Sequence, residues 1–217
     1  MFEKMIRGIL LIGFCLLMMG GCMQAPEDAK LVEHMVVQTN YDTARIKESS
    51  NIFNTYNTFF IRADTMGYVL NSPGADTILI DPIKGGTYYF VTPVVDEIRD
   101  QVQLAGYTSV DEDQNPDFAI KVAVLENFSY YQTISNGYYG GYYGYYGYYY
   151  PVVATYYSNS ATLLIEIVDV KNYAINGNKY VVVWRAYIGD LIKTIDLTGK
   201  TREAVVRAFE QSPYISK

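Results

Sequence analysis

Apolar positions recur along the chain with two different periods, and the changes from one to the other lay out its elements. Alternation by two marks strands. Over 118–131, Phe118, Ile120, Val122 and Val124 alternate with Ala119, Lys121 and Ala123. Over 161–170, Leu163, Ile165 and Ile167 share one face, and over 179–190 so do Tyr180, Val182, Trp184, Ala186 and Ile188. Two earlier strands are expected at 34–40, on Met35, Val36 and Val37, and at 53–63, on Tyr56, Thr58, Phe59, Phe60 and Ile61. Ile78, Leu79 and Ile80 form a brief apolar run that ends at Asp81-Pro82.

The helical period appears twice. Val95, Ile98, Val102 and Ala105 recur three and four apart, with Thr92 as the expected cap, Pro93 at the first helical position, Asp96 and Glu97 in the early turns, and Gly106 as the stop. A closing helix is expected over 201–212, with Ala204, Val205, Ala208 and Phe209 on one side and Pro213 ending it. Asn176-Gly177 is a hairpin turn signal. Centred there, the hairpin sets Ile165 against Ile188 and Val168 against Arg185. Trp184 then belongs to the core, and Arg185 lies on the opposite face within reach of Glu166 or Asp169. The order strand, strand, helix, three strands, helix predicts an α+β domain over 34–217, a mostly antiparallel sheet with both helices on one face.

One segment obeys neither period. From 136 to 157 the chain is dominated by Gly and Tyr, with Tyr138, Tyr139, Tyr142, Tyr143, Tyr145, Tyr146, Tyr148, Tyr149 and Tyr150 in a run that ends at Pro151. It is expected to be a long loop inserted between strands. Those tyrosines are candidate contacts for sugars, aromatic groups or another protein, because each has an apolar face and a polar tip. The competing reading is a featureless excursion produced by repeat slippage.

The first residues read differently again. Lys4 and Arg7 precede a charge-free stretch from Gly8 to Met19, followed by Gly20-Gly21-Cys22. A basic start, a dozen apolar residues and small residues before a cut form a secretory signal. The ending resembles the lipobox of bacterial lipoproteins, with Met19 where Leu is usual. Residues 1–21 are therefore expected to be a signal peptide, Cys22 the acylated first residue, and 22–33 a polar tether with Pro26. Each buried CH₂ of an acyl chain adds about 0.8 kcal/mol of membrane attachment. No Asp follows Cys22, so the outer membrane is the expected address; Glu27-Asp28 is loosely similar to surface-export signals, which leaves the membrane face open.

Charge and composition narrow the chemistry. The net charge is −6, and Glu3, Lys4 and Arg7 contribute +1 of it, so the chain from Cys22 stands at −7. An acidic body without a dense basic cluster is a poor partner for nucleic acid. Cys15 and Cys22 are the two cysteines, which leaves no disulfide and no thiol chemistry after lipidation. One histidine, His34, without a Gly-x-Ser-x-Gly elbow gives no hydrolase triad. Gly199-Lys200-Thr201 lacks the upstream Gly of a phosphate loop, with Thr194 in its place, and is read as a helix entry. Asp111, Asp113, Asn115 and Asp117 alternate like calcium ligands, but Pro116 stands where Gly is needed and Val122 where the bidentate Glu belongs. No metal or cofactor is expected. Asp81, Asp169 and Asp190 are carboxylates for which spacing gives no pairing.

Thr55-Tyr56-Asn57-Thr58-Phe59, Leu104-Ala105-Gly106-Tyr107, Asn115-Pro116-Asp117-Phe118, Val183-Trp184-Arg185-Ala186 and Ser212-Pro213 follow one another in this order. With the lipobox, they make the chain resemble the lipoproteins grouped as domain of unknown function 4136 (DUF4136), over roughly 41–213. The resemblance implies an α+β domain in the cell envelope and carries no catalytic residues. The expected function is a non-enzymatic, membrane-anchored interaction or structural module, with another envelope protein or a glycan as partner. The alternatives are a carboxylate-based hydrolase and a small-ligand or glycan-binding lipoprotein.

Overall fold

The computed structural model describes residues 35–47, 49–63, 65–69, 77–80, 90–125, 148–149, 161–191 and 196–217. In chain order the elements are β1 (Val37–Tyr41), β2 (Ile46–Lys47), β3 (Ser50–Asn51), β4 (Thr58–Ile61), β5 (Thr65–Val69), β6 (Thr77–Ile80), α1 (Val91–Leu104), β7 (Thr108–Ser109), β8 (Phe118–Leu125), β9 (Tyr148–Tyr149), β10 (Thr162–Asp169), β11 (Tyr180–Ile188) and α2 (Leu197–Glu210). The main sheet runs β1-β11-β10-β8-β4-β7, with β5 beside β8, β6 beside β5 and β9 beside β11. The class is α+β, as the periods require.

The sheet is mixed rather than mostly antiparallel. β1, β11, β10 and β8 pair antiparallel, whereas β4 and β5 both run parallel to β8, and β4 parallel to β7. The reason is the position of α1. It separates β4–β6 from β7 and β8 in the chain, and a crossover of that length is what a parallel neighbour needs.

Both helices belong to one core with a single face of the sheet. Val94, Val95, Ile98 and Val102 of α1 and Ala204, Val205 and Ala208 of α2 cluster with Ile120, Val122, Leu163, Ile165, Ile167, Trp184, Ala186 and Ile188. Phe118 is the centre of an aromatic group: Phe59 stacks on it at 5.8 Å, and Tyr107 and Tyr56 meet it at 5.1 and 5.3 Å. Trp184 is buried as expected, packs on Phe209 at 5.3 Å and donates from Nε1 to Ser212 Oγ at 2.9 Å.

Several local expectations change. The stretch read as one strand over 53–63 begins as a 3₁₀ turn, Ile52–Thr55, so that Phe53 and Tyr56 both reach the core before β4 starts. Thr92 does not cap α1; the cap position is Phe90, without a side-chain bond, and Pro93 sits inside a first turn whose N–H groups have no intrahelical partner anyway. Gly106 stops that helix, at φ 100°. The closing helix starts at Leu197, four residues before Thr201, because Asp196 accepts from Gly199 N at 3.0 Å while the Thr201 hydroxyl turns back to Leu197 O. Gly199-Lys200-Thr201 is thus helical.

The β10–β11 connection is the larger correction. Ile165 faces Ala186 and Leu163 faces Ile188, two residues off the expected register. Asn176-Gly177 is not a two-residue turn. It lies in a longer one, 170–179, where Gly177 and Asn178 both have positive φ. A shift of two leaves Trp184, Ala186 and Ile188 on their expected face, but nearer the turn Val183, not the expected Val182 and Tyr180, joins the core. The register also slips at Ile167/Val168: Ile167 faces Trp184 but Val168 faces Val182, a bulge at Val183.

Candidate functional site

The face of the sheet turned away from the helices is not a solvated polar surface. β10 is buried at every position and β11 at all but Tyr180, so both faces are closed. Strand pairing lines up Asn40, Arg185, Glu166 and Lys121 across β1, β11, β10 and β8. Arg185 Nη2 lies 3.6 Å from Glu166 Oε1, with the two side chains 8% and 1% exposed, and Arg185 Nη1 donates to the Tyr187 hydroxyl at 3.3 Å. The reach of Arg185 to Glu166 is the one the alternation predicts.

One carboxylate therefore stands between two cations in a water-poor layer. Burial raises the Glu166 carboxyl, and Arg185 and then Lys121 work against that rise. A guanidinium does not give up its proton in a protein. Lys121 yields instead: burial presses its ammonium down to about 7, with Glu166 opposing. Tyr187 is raised, chiefly by burial. Near neutral pH Arg185 keeps its charge while Lys121 begins to lose its own.

A second polar network braces one end of the sheet. Arg45 Nη1 donates to Asp42 and Nη2 to Asn176 Oδ1 at 3.0 Å. Asn176 Nδ2 donates to Asp169 Oδ2 at 3.2 Å, and Asp169 Oδ1 accepts from both nitrogens of Asn172 at 3.1 Å. Asp169 is fully buried and, after burial itself, is the main cause that raises the Tyr56 phenol. Asp117 fixes the neighbouring edge, accepting from Asn57 N at 2.6 Å and Thr58 N at 3.2 Å and pairing with Lys171 at 3.2 Å. These bonds hold the turn 170–179 in one shape. On it Ile175 is 83% and Tyr173 37% exposed, and Tyr173 meets Tyr180 at 4.4 Å between ring centres.

The acidic run before β8 is used in local bonds. Asp111 and Gln114 close a capping box on the 3₁₀ turn Glu112–Gln114, Asn115 takes φ 51°, and Asp117 is spent on β4 and Lys171. Among the described residues no group of three His, Cys, Asp or Glu side chains could hold a metal.

Of the residues singled out from sequence, Cys22, Tyr138, Tyr139, Tyr142, Tyr143, Tyr145, Tyr146 and Tyr150 lie outside the described residues. Tyr148–Tyr149 is the short strand β9, parallel to β11, with Tyr148 beside Tyr180 and Tyr149 beside Val181. Sequence reasoning did not single out Lys121 or Arg45. A lysine between Ala119 and Ala123 was the available signal for the first; Arg45 had none.

The family model described as "Domain of unknown function (DUF4136)" matches residues 37–214. No curated protein matches the chain. A DUF4136 family protein from Bacteroides thetaiotaomicron VPI-5482, known from a crystal structure, is similar at 26% identity and a TM-score of 0.63, over 85% of this chain and 99% of that one. A PelC dodecamer from Paraburkholderia phytofirmans aligns at 11% identity and a TM-score of 0.37, over 82% of this chain and 98% of that one. With its five short motifs in order, a family model covering most of its length and a solved family member of the same fold, the chain belongs to the DUF4136 family.

Proposed function

We propose that this chain is an envelope lipoprotein, cut before Cys22, acylated on that sulfur and held on the outer membrane, whose domain is a non-enzymatic interaction or structural module. The Gly20-Gly21-Cys22 ending and the polar stretch after it support the anchor. The observation that carries the module reading is how the buried carboxylates are used. Asp42 is tied to Arg45, Glu166 to Arg185, and Asp169 to Asn172 and Asn176. A hydrolase built on carboxylates needs two of them paired at an accessible bond, one with its pKa raised. Glu166 is raised, but its charged neighbours are cations and it is 1% exposed.

Intact mass of the protein isolated from membranes tests the anchor. The expected first residue is Cys22 carrying diacylglycerol, and the Cys22→Ala variant is expected in the soluble fraction. A native product that begins at Met1, or that lacks acyl mass, overturns the anchor. Crosslinking in intact cells tests the module, with a discrete adduct expected; turnover of a hydrolase substrate that Glu166→Gln abolishes would overturn it.

A further inference from the structure

Asn176-Gly177, which does not form the two-residue turn its letters suggest, is also a step open to a spontaneous covalent change. In an Asn-Gly step the backbone nitrogen of Gly can attack the side-chain amide carbon of Asn, because the Gly has no side chain to crowd the approach. The new N–Cγ bond closes a five-membered succinimide, and the Cγ–Nδ2 bond breaks with loss of ammonia. Water then opens the ring at either carbonyl. The product is aspartate or isoaspartate, the latter with one extra carbon in the main chain. Lack of space does not prevent this here: Gly177 is exposed, and a Cβ built on it would meet nothing within 4 Å.

The groups the reaction uses are nevertheless all engaged. Gly177 N–H, which must lose its proton, donates to Ala174 O at 3.2 Å. Asn176 Nδ2, which must leave as ammonia, donates to Asp169 Oδ2 at 3.2 Å, and Asn176 Oδ1 accepts from Arg45 Nη2 at 3.0 Å. Both holders are themselves fixed. Asp169 is fully buried and binds Asn172 through its other oxygen, while Arg45 pairs with the buried Asp42. The backbone is tied as well, with Asn176 N donating to Asn172 O at 2.9 Å and Asn178 N to Tyr173 O at 3.0 Å. Attack on Cγ turns a planar amide tetrahedral, so it proceeds only after these bonds let go. The turn's other asparagines, Asn172 and Asn178, precede Tyr173 and Lys179, whose side chains crowd the attack.

We infer that Asn176 is a latent deamidation site, held shut by Arg45 and Asp169 and released when the turn 170–179 opens. The conversion is one-way. Its product sets a carboxylate where Asp169 now accepts an N–H, and two carboxylates at that spacing repel. Arg45 tolerates the new charge, so it is the Asp169 side of the turn that lets go. An isoaspartate reroutes the main chain through the former side chain and draws Gly177 N–H off Ala174 O. Each opening thus adds to a converted fraction that does not return, and the turn becomes permanently looser.

The test incubates the purified protein at mildly alkaline pH, folded and in guanidinium chloride. The tryptic peptide 172–179, bounded by Lys171 and Lys179, is followed for the mass gain of NH₂ replaced by OH, and fragmentation locates it at Asn176. Arg45→Ala is expected to speed conversion of the folded protein roughly tenfold, since one hydrogen bond to a charged group is worth on the order of a factor of ten. Unfolding removes both clamps and is expected to speed it roughly a hundredfold or more. Arg202→Ala, which breaks an ion pair with Glu97 between the helices, is the control and is expected to convert as the parent does. Trp184 fluorescence and the melting temperature verify folding. Asn176→Asp supplies the product in advance and does not depend on Arg45→Ala folding; faster hydrogen exchange confined to 170–179 is expected. Equal conversion in the folded and unfolded chain overturns the inference. So does a folded Arg45→Ala that converts no faster than the parent, an equal gain in Arg202→Ala, or Asn176→Asp with unchanged exchange.

Discussion

Replacing Lys121 with Met should remove most of the dependence of stability on pH between about 7.5 and 9.5. The ammonium ionises at 10.5 in an unfolded chain and at about 7 in the fold. Between those values the unfolded state binds a proton that the folded state does not. Stability of the wild type therefore rises as pH rises through this window and falls as pH drops towards 7. The steepest slope one such group can give is about 1.4 kcal/mol per pH unit. Integrated over the window, and with Glu166 beside it moving in concert, the difference is on the order of a few kcal/mol. Glu166 opposes this slope, and the buried phenols act above the window. The Glu166 carboxyl is raised, so it makes stability fall as pH rises from 4.5 upward, and the buried Tyr56, Tyr107 and Tyr187 phenols are raised from 10.0, so they act above that value. Met fills similar volume along the stem of Lys and has no charge to discharge. The assay is urea unfolding at closely spaced pH values, read by the fluorescence of Trp184, the single tryptophan. A wild-type midpoint that stays level from pH 7.5 to 9.5, or a Lys121→Met variant with an undiminished slope, refutes the reasoning.

Glu166→Ala leaves the Arg185 guanidinium buried without its carboxylate and is expected to destabilise by about 3–5 kcal/mol; adding Arg185→Leu should restore much of the loss, and additive losses in urea unfolding would argue against the pair. Gly106→Ala forces an L side chain to φ 100° and brings its Cβ to 3.4 Å from Lys217 Cβ, so a loss of roughly 1 kcal/mol or more is expected in the melting curve. Asp169→Ala leaves amides of Asn172 and Asn176 without their acceptor; a loss of about 1–3 kcal/mol and faster hydrogen exchange confined to 170–179 are expected. Tyr107→Phe removes the hydroxyl that donates to Ile215 O at 2.6 Å and to Phe53 O at 3.1 Å, and should loosen the C-terminal residues, read as earlier carboxypeptidase release of Lys217.

The charged row explains a feature of β8 and β10 that looks wasteful. An antiparallel pair with one wet face would keep Lys121 and Glu166 in water at no desolvation penalty. Here both faces are closed, so the row is kept out of water, with Arg185 set against Glu166 and the Tyr187 hydroxyl. Such pairs contribute little net stability, but they penalise any register other than Lys121–Glu166–Arg185, because a slip by two sets a charge against an aliphatic side chain. That is a reason for β10 and β11 to find their offset despite a misleading Asn176-Gly177.

Periodicity by itself determined the α+β class, the faces of β8, β10 and the Trp184–Ile188 part of β11, the interior place of Trp184 and the approach of Arg185 to Glu166, since a period of two sorts side chains by face until a bulge interrupts it. It determined the apolar sides of α1 and α2 for the same reason, with 3.6 in place of two. What only the tertiary structure decided depends on contacts distant in the chain. The parallel run of β4 and β5 along β8 follows from where a crossover can pass, and the true β10–β11 register from a buried Asp169 that gathers Asn172 and Asn176. The start of α2 at Leu197 is set by Asp196, which accepts from Gly199 N, while the Thr201 hydroxyl donates to Leu197 O inside the helix. Lys121 became a titrating group at neutral pH only because the second face of the sheet is closed, and no alternation of letters reports how much water a face retains.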